Sequence, residues 1–229
     1  MQNVKAVLFD LDGTLVDSLP EIYQGVSKAV SSMGYKVPSE AAVGAMIGRG
    51  MGVLVDRLCN HLGIDVTSET RQTLFSRLLD AWDEAGGRYV TFYPGVVDAI
   101  VALRAQGVKT ALVTNKLRSL TVEFIESRGI AHLFDAVVAG DDCPKNKPAP
   151  DMLLRAMDIL KVDASQAIMV GDSRNDALAG RAAGVTVALV ETGYNEGVSI
   201  ADWAREAGFS KIYPSARKVC EKMITTGQL

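Results

Sequence analysis

Short apolar, β-branched runs alternate with stretches whose apolar residues recur at helical spacing. The first run, residues 4–9, is mostly apolar on both faces, as a buried parallel strand requires. Similar runs fall at 108–113, 136–139, 167–170 and 185–190, and helical patterns lie between them at 95–104, 118–128, 150–160 and 175–183. Gly107, Gly129 and Gly184 stand where helices would stop. Strand and helix alternating in this way predict an α/β fold, a parallel sheet with helices on both faces. In an open sheet of that kind a ligand sits outside the carboxyl ends of the strands.

Residues 18–91 break the rhythm. They carry helical patterns at 20–33, 39–47, 51–62 and 68–84 and almost nothing strand-like. The stretch opens with Leu19-Pro20 and closes through Gly86-Gly87 and Tyr93-Pro94-Gly95, which predict hinges. An unstructured loop of that length is improbable, so a helical insert after the first strand is expected. The chain then divides into a core of 1–17 and 92–229 and an α-helical insert of 18–91.

Composition narrows the function classes. With 48% hydrophobic and 22% charged residues the 229-residue chain reads as an ordinary globular protein. A net charge of −3 offers no basic footprint for nucleic acid or an anionic membrane. No apolar run approaches the roughly 20 residues that span a bilayer. Met1 to Lys5 lack the pattern of a signal peptide, and Cys59, Cys143 and Cys220 form neither a disulfide framework nor a CxxC site. A cytoplasmic location is expected.

Four short motifs follow four of the five strand candidates. Asp10-Leu11-Asp12-Gly13-Thr14-Leu15 puts two carboxylates on one side of an extended chain, with Gly13 letting the backbone approach a ligand. It is not a calcium loop, because its fifth and sixth positions are Thr14 and Leu15 and a strand precedes it. Thr114-Asn115 can hold phosphate oxygens through side chain and following backbone N–H groups. Lys147, in Lys147-Pro148-Ala149-Pro150, offers a point charge to a phosphate or an attacking carboxylate. Gly171-Asp172-Ser173-Arg174-Asn175-Asp176 adds acids that, with Asp10, meet the oxygen-ligand demand of Mg²⁺. Singly, each motif has a plainer reading: a solvated acidic turn, ordinary Thr-Asn turn chemistry, a solvated loop lysine. Their joint occurrence in this order argues for a site.

The four motifs resemble the signatures of the haloacid dehalogenase superfamily over essentially the whole chain, with a helical cap inserted after the first strand of a Rossmann-like sheet. Ile47-Gly48-Arg49-Gly50, Gly140-Asp141-Asp142, Gly171 to Asp176 and Gly193-Tyr194-Asn195-Glu196-Gly197 are similar to the bacterial phosphoglycolate phosphatase branch. The resemblance implies a Mg²⁺-dependent phosphatase acting on a small phosphorylated metabolite such as 2-phosphoglycolate. Asp10 is then the nucleophile that becomes an aspartyl-phosphate, Asp12 the general acid and base, Thr114 the phosphoryl binder and Lys147 the counter-charge. Gly13, Asn115 and Arg49 join Thr114 and Lys147 as substrate-binding candidates. The metal falls to Asp10, the Asp12 carbonyl and Asp172, with Asp176 a further metal-shell acid or the partner that orients Lys147. The acid at position 12 favours phosphate esters over dehalogenation. A sugar-phosphate phosphatase, a pyrophosphatase, a phosphomutase and a non-catalytic binding protein are the alternatives on this scaffold, as monomer or homodimer.

Within the insert, Gly48-Arg49-Gly50-Met51-Gly52 is the most site-like stretch, able to present backbone N–H groups to a small carboxylate, with Arg49 assisting or merely exposed. It is not a dinucleotide loop, since residue 53 is Val and no strand precedes it. His61 and His132 have no nucleophile signature near them and no GxSxG exists, so both are read as surface or packing residues.

Overall fold

The computed structural model describes residues 4–227. Residues 1–3, the first part of the Met1 to Lys5 stretch that lacks a signal-peptide pattern, and residues 228–229 lie outside the described residues.

The chain runs through β1 (Ala6–Phe9), β2 (Val16–Asp17), α1 (Leu19–Ser32), α2 (Glu40–Gly44), α3 (Met51–Leu62), α4 (Glu69–Ala85) and β3 (Thr91–Phe92). It continues with α5 (Val96–Ala105), β4 (Lys109–Val113), α6 (Arg118–Ser127), β5 (Ala136–Val138), α7 (Asp151–Leu160), β6 (Ala167–Gly171) and α8 (Arg174–Ala183). It ends with β7 (Thr186–Val190), α9 (Ile200–Glu206), β8 (Ile212–Tyr213) and α10 (Ala216–Thr226).

Six strands form one parallel sheet in the order β5-β4-β1-β6-β7-β8. The period-2 alternation of a strand divides its apolar residues between two layers. Val7, Phe9, Leu112, Ile168 and Val170 face one cluster, shared with Ile100 and Leu103 of α5, Phe124 of α6 and Val219 of α10. Ala6, Leu8, Ala111, Val113 and Met169 face the other, shared with Met152 and Leu153 of α7, Ala177 of α8 and Ala204 of α9. Full burial of Leu8, Phe9 and Leu112 contributes about 1.5–3 kcal/mol each. The expected three-layer α/β architecture is therefore present.

β1 lies at the centre and pairs with β4 and β6, and Phe9 is level with both Leu112 and Val170. The chain passes from β1 outward through β4 and β5 and then returns to β6. That reversal opens a crevice at the carboxyl ends, where Asp10, Thr114 and Asp172 follow their strands. Asp10 N–H donates to Val170 O (2.9 Å) and Thr114 N–H to Val138 O (3.0 Å), so both residues are still tied to the sheet.

The four helices α1 to α4 pack around a separate cluster that includes Val26, Val30, Leu54, Leu58, Leu74, Leu78 and Trp82. Ser39 and Ser68 cap α2 and α4 by accepting from Ala42 and Arg71 N–H groups. Before and after this bundle the chain passes through an antiparallel pair, with Val16 opposite Phe92 and Asp17 opposite Thr91. The α2 helix is shorter than its 39–47 pattern, and β2, β3, β8, α9 and α10 were not read from the pattern at all. All three cysteines are free, and burial pushes the Cys220 thiol up to about 12. No helix among the described residues is long and apolar enough to cross a membrane.

Candidate active site

Lys147 is the centre of the site, 2% exposed. Its ammonium donates to Val113 O (2.7 Å) and Asp176 Oδ1 (2.7 Å) and lies 2.9 Å from Asp10 Oδ1. Those three acceptors match its three N–H donors. Asp176 is fixed in turn by the start of α8, because its Oδ2 accepts from Ser173 N–H (3.1 Å) and Oγ–H (2.7 Å) in a capping box. A local helix-start signal thus delivers a carboxylate that aims a lysine at the end of another strand. Of the two alternatives for Asp176, contact with Lys147 is observed directly.

Asp172 is anchored separately. Its Oδ1 accepts from Thr14 Oγ–H (2.9 Å) and its Oδ2 from Tyr194 N–H (3.0 Å). Two glycines allow the approach: a Cβ at Gly13 would lie 2.5 Å from Asp172 Oδ2, and one at Gly193 would overlap the same carboxylate. Gly13 also has φ +83, which favours glycine. Its N–H donates to Val16 O (2.8 Å), so Gly13 serves by close packing, and its N–H is not available to a phosphate.

Asp10, Asp172 and Asp176 offer oxygens that all lie within 4.8 Å of one another. Three carboxylates cluster around one buried ammonium, which touches Asp10 and Asp176, so full ionisation would leave two negative charges in excess. Burial pushes the Asp10 carboxyl well above the usual range; Lys147 opposes this, while Asp176 and Asp172 add to it. Burial, with Asp176 beside it, pushes Asp172 to about 7. Lys147 is also shifted upward, which for a lysine favours the charged form: burial lowers its affinity for a proton, but Asp10 and Asp176 together raise it above the ordinary value. A cluster that resists ionisation although it must be ionised to act is suited to a divalent cation, and its all-oxygen donors suit a hard one.

Asp10 Oδ1 is engaged by Lys147 and by Leu11 N–H (2.8 Å). Among the described residues Oδ2 has no protein partner, and Asp10 lines a cavity between the sheet's carboxyl edge and the helical bundle. Asp12, Thr114 and Asn115 line it too, along with Gly48, Gly50, Met51 and Trp82. Asn115 is largely committed elsewhere: its amide donates to Gly48 O (3.0 Å) and Lys147 O (2.9 Å), and its Oδ1 accepts from Lys147 N–H (3.0 Å). It braces the Lys147 backbone against the 48–50 loop. Arg49 is exposed and does not line the cavity, although the glycines on either side of it do. His61 and His132 are exposed and lie outside it.

A sequence model described as haloacid dehalogenase-like hydrolase matches residues 7–190. The chain belongs to the haloacid dehalogenase-like hydrolases. It is similar to a plasmid-encoded phosphoglycolate phosphatase of Cupriavidus necator, 39% identical over 82% of this chain and 81% of the relative. It is also similar to a phosphoglycolate phosphatase of Vibrio cholerae, 35% identical over 88% of this chain and 91% of the relative. A solved structure of a predicted phosphoglycolate phosphatase from Haemophilus somnus superposes with a TM-score of 0.89 at 29% identity, covering 97% of this chain and 99% of that one. This haloacid dehalogenase-like hydrolase is accordingly a phosphoric monoester hydrolase, phosphoglycolate phosphatase-like.

Several residues of the site were not singled out from sequence. Lys116, directly after the Thr114-Asn115 pair, lines the cavity and lies 3.5 Å from Asp12 Oδ1. Tyr194 joins the two halves: its N–H donates to Asp172, its O–H to Asp17 Oδ1 (2.7 Å), and its oxygen accepts from Ser18 and Leu19 N–H groups (2.9 and 3.0 Å). Burial, then the bond to Asp17, keeps this phenol protonated far above its ordinary range. The 193–197 stretch carried the only signal, as part of a resemblance and without a role.

Proposed function

We propose that this phosphatase is Mg²⁺-dependent and cleaves 2-phosphoglycolate, or a closely similar small monoester, through an aspartyl-phosphate on Asp10. The observation that carries the reading is the contact of Asp10 with Lys147 at 2.9 Å, which holds one carboxylate oxygen and leaves the other to the cavity. The curated relatives named phosphoglycolate phosphatase supply the substrate.

Asp10 Oδ2 attacks phosphorus, and the bond from phosphorus to the ester oxygen breaks. Asp12, two residues on, gives its proton to the departing alkoxide. Asp12 then takes a proton from water, whose oxygen attacks the phosphoaspartate and releases inorganic phosphate and the Asp10 carboxylate. Thr114 holds the phosphoryl group at the end of β4, and Lys147 offsets charge that spreads over its oxygens. Asp10, Asp172 and the Asp12 carbonyl would hold Mg²⁺, which supplies charge neutralisation and a template for the in-line geometry. Residues 18–91 act as a cap over the site, hinged at the β2–β3 pair, and exclude water when closed.

A panel of phosphate esters assayed with Mg²⁺ tests this. Phosphate release led by 2-phosphoglycolate, lost in Asp10→Asn with an unchanged circular dichroism spectrum, is the expected result. Undiminished turnover in Asp10→Asn contradicts it, and isomerised product without phosphate release marks a phosphomutase instead.

A further inference from the structure

The cavity's charge distribution is uneven. Among the described residues, Lys116 is the one cation lining it, while Glu21 and Glu123 line it as acids beyond Asp10 and Asp12. Glu21 is 6% exposed, and its carboxylate accepts from Tyr89 N–H (3.2 Å). Much of the remaining wall is apolar, including Leu54, Trp82, Leu117 and Phe124. An anionic group entering this space meets a repulsive carboxylate and a poorly solvating wall, except near Lys116.

Lys116 is also fixed in place. Its N–H donates to Thr114 Oγ1 (3.3 Å), its carbonyl accepts from Gly140 N–H (2.7 Å), and its ammonium lies 3.5 Å from Asp12 Oδ1. Only 17% of its side chain is exposed. Asp12 is the group that protonates the departing oxygen in the reading above, so Lys116 is within one residue's reach of that oxygen. A carboxylate borne on the carbon next to the ester oxygen is tied closely to the atom that Asp12 protonates, and so to the neighbourhood of the Lys116 ammonium. One carbon further, that covalent tie is looser.

The geometry points to Lys116 as the residue that recognises the leaving group, selecting phosphate esters of short 2-hydroxy acids by binding their carboxylate. The inference rests on the phosphatase reading and deepens it. It moves anion recognition from the exposed Arg49 of the cap to a core residue adjoining the phosphoryl-binding threonine.

The test compares kcat/KM for 2-phosphoglycolate with that for O-phosphoethanolamine, an ester of similar length and opposite charge, and for the phosphate ester of 3-hydroxypropionate. The wild type prefers 2-phosphoglycolate to both. In Lys116→Met each preference shrinks by roughly tenfold or more, the worth of one charge pair in a partly desolvated site, whereas Lys116→Arg keeps most of it. Preferences unchanged in Lys116→Met overturn the assignment. An equal loss on all three esters in both variants also overturns it and ties Lys116 to Asp12 alone. Failure of the wild type to release phosphate from these esters and from p-nitrophenyl phosphate contradicts the proposed function itself, and this inference with it.

Discussion

Glu196, in the loop after β7, accepts from Arg57 of α3 at 2.5 Å (Oε1 to Nη2), an ion pair that joins the parallel-sheet half to the helical bundle. Glu196 also pairs with Arg174 at the start of α8 and adopts a φ of +53, uncommon for a residue with a side chain. Arg57 completes its contacts through Met46 O (3.0 Å). The Glu196 side chain is 5% exposed, so the pair is far less screened than a surface one.

Removing that carboxylate leaves two guanidinium groups facing each other. Glu196→Ala is expected to lower stability by about 1.5–3 kcal/mol, measured by urea unfolding, as loss of a charge-assisted hydrogen bond does. It is also expected to raise KM more than it lowers kcat, because the contact bears on how the bundle sits over the cavity. A variant as stable as wild type shows that the pair does not hold the two halves.

Gly25 of α1 sits against the Trp82 indole, which a Cβ at that position would overlap. Two effects oppose each other in Gly25→Ala. Helix propensity favours Ala by about 1 kcal/mol, whereas overpacking a tight seam costs typically about 1–3 kcal/mol. The rigid indole has little room to yield, so net destabilisation is expected in thermal unfolding. A gain in stability shows that α1 and α4 separate readily.

Asp176→Asn keeps the shape of the side chain but replaces an acceptor with a donor facing the Lys147 ammonium or Ser173. The expected result is a fall in kcat of about 10²-fold or more, because Lys147 loses its aim on Asp10, with a loss of stability from the broken capping box. Full kcat in this variant contradicts the positioning role.

The raised affinities of Asp10 and Asp172 for protons set a pH dependence. Between the ordinary carboxylate value of 3.8 and about 7 the folded state binds more protons at Asp172 than the unfolded state does. Metal-free stability attributable to this group is therefore fully present below that window and declines as pH rises through it. A divalent cation favours the ionised carboxylates and competes with those protons, so the increase in Tm produced by Mg²⁺ should be larger at pH 8 than at pH 5.5. A Mg²⁺ shift that is the same at both pH values, or larger at the lower one, contradicts binding at this cluster.

Much of the molecule was legible in the chain because its signals are local. Strands β1, β4, β6 and β7 are apolar on both faces, and the acids after β1 and β6 stand at strand ends where an open sheet places a ligand. Strands β2, β3 and β8 have two residues each, too few to carry a period, and exist because distant partners hold them. The same distinction separates the site residues. Asp176 is legible as an acid of the 171–176 motif, four residues after Asp172, but Lys116 meets Asp12 across 104 positions and Tyr194 meets Asp17 across 177. Asn115 reads as a phosphate ligand by type, and only the fold reveals that its amide faces Gly48 and Lys147.

The proposed function turns on transfer of the phosphoryl group to Asp10. In Asp12→Asn, p-nitrophenyl phosphate needs no proton for its leaving group, while hydrolysis of the phosphoenzyme lacks its base. With Mg²⁺, a burst of nitrophenolate close to one per protein molecule is expected, followed by slow turnover, and peptide mapping of the quenched protein should find the phosphoryl group on Asp10. The absence of a burst together with an unmodified Asp10 peptide, or the phosphoryl group on another residue, would contradict transfer to Asp10.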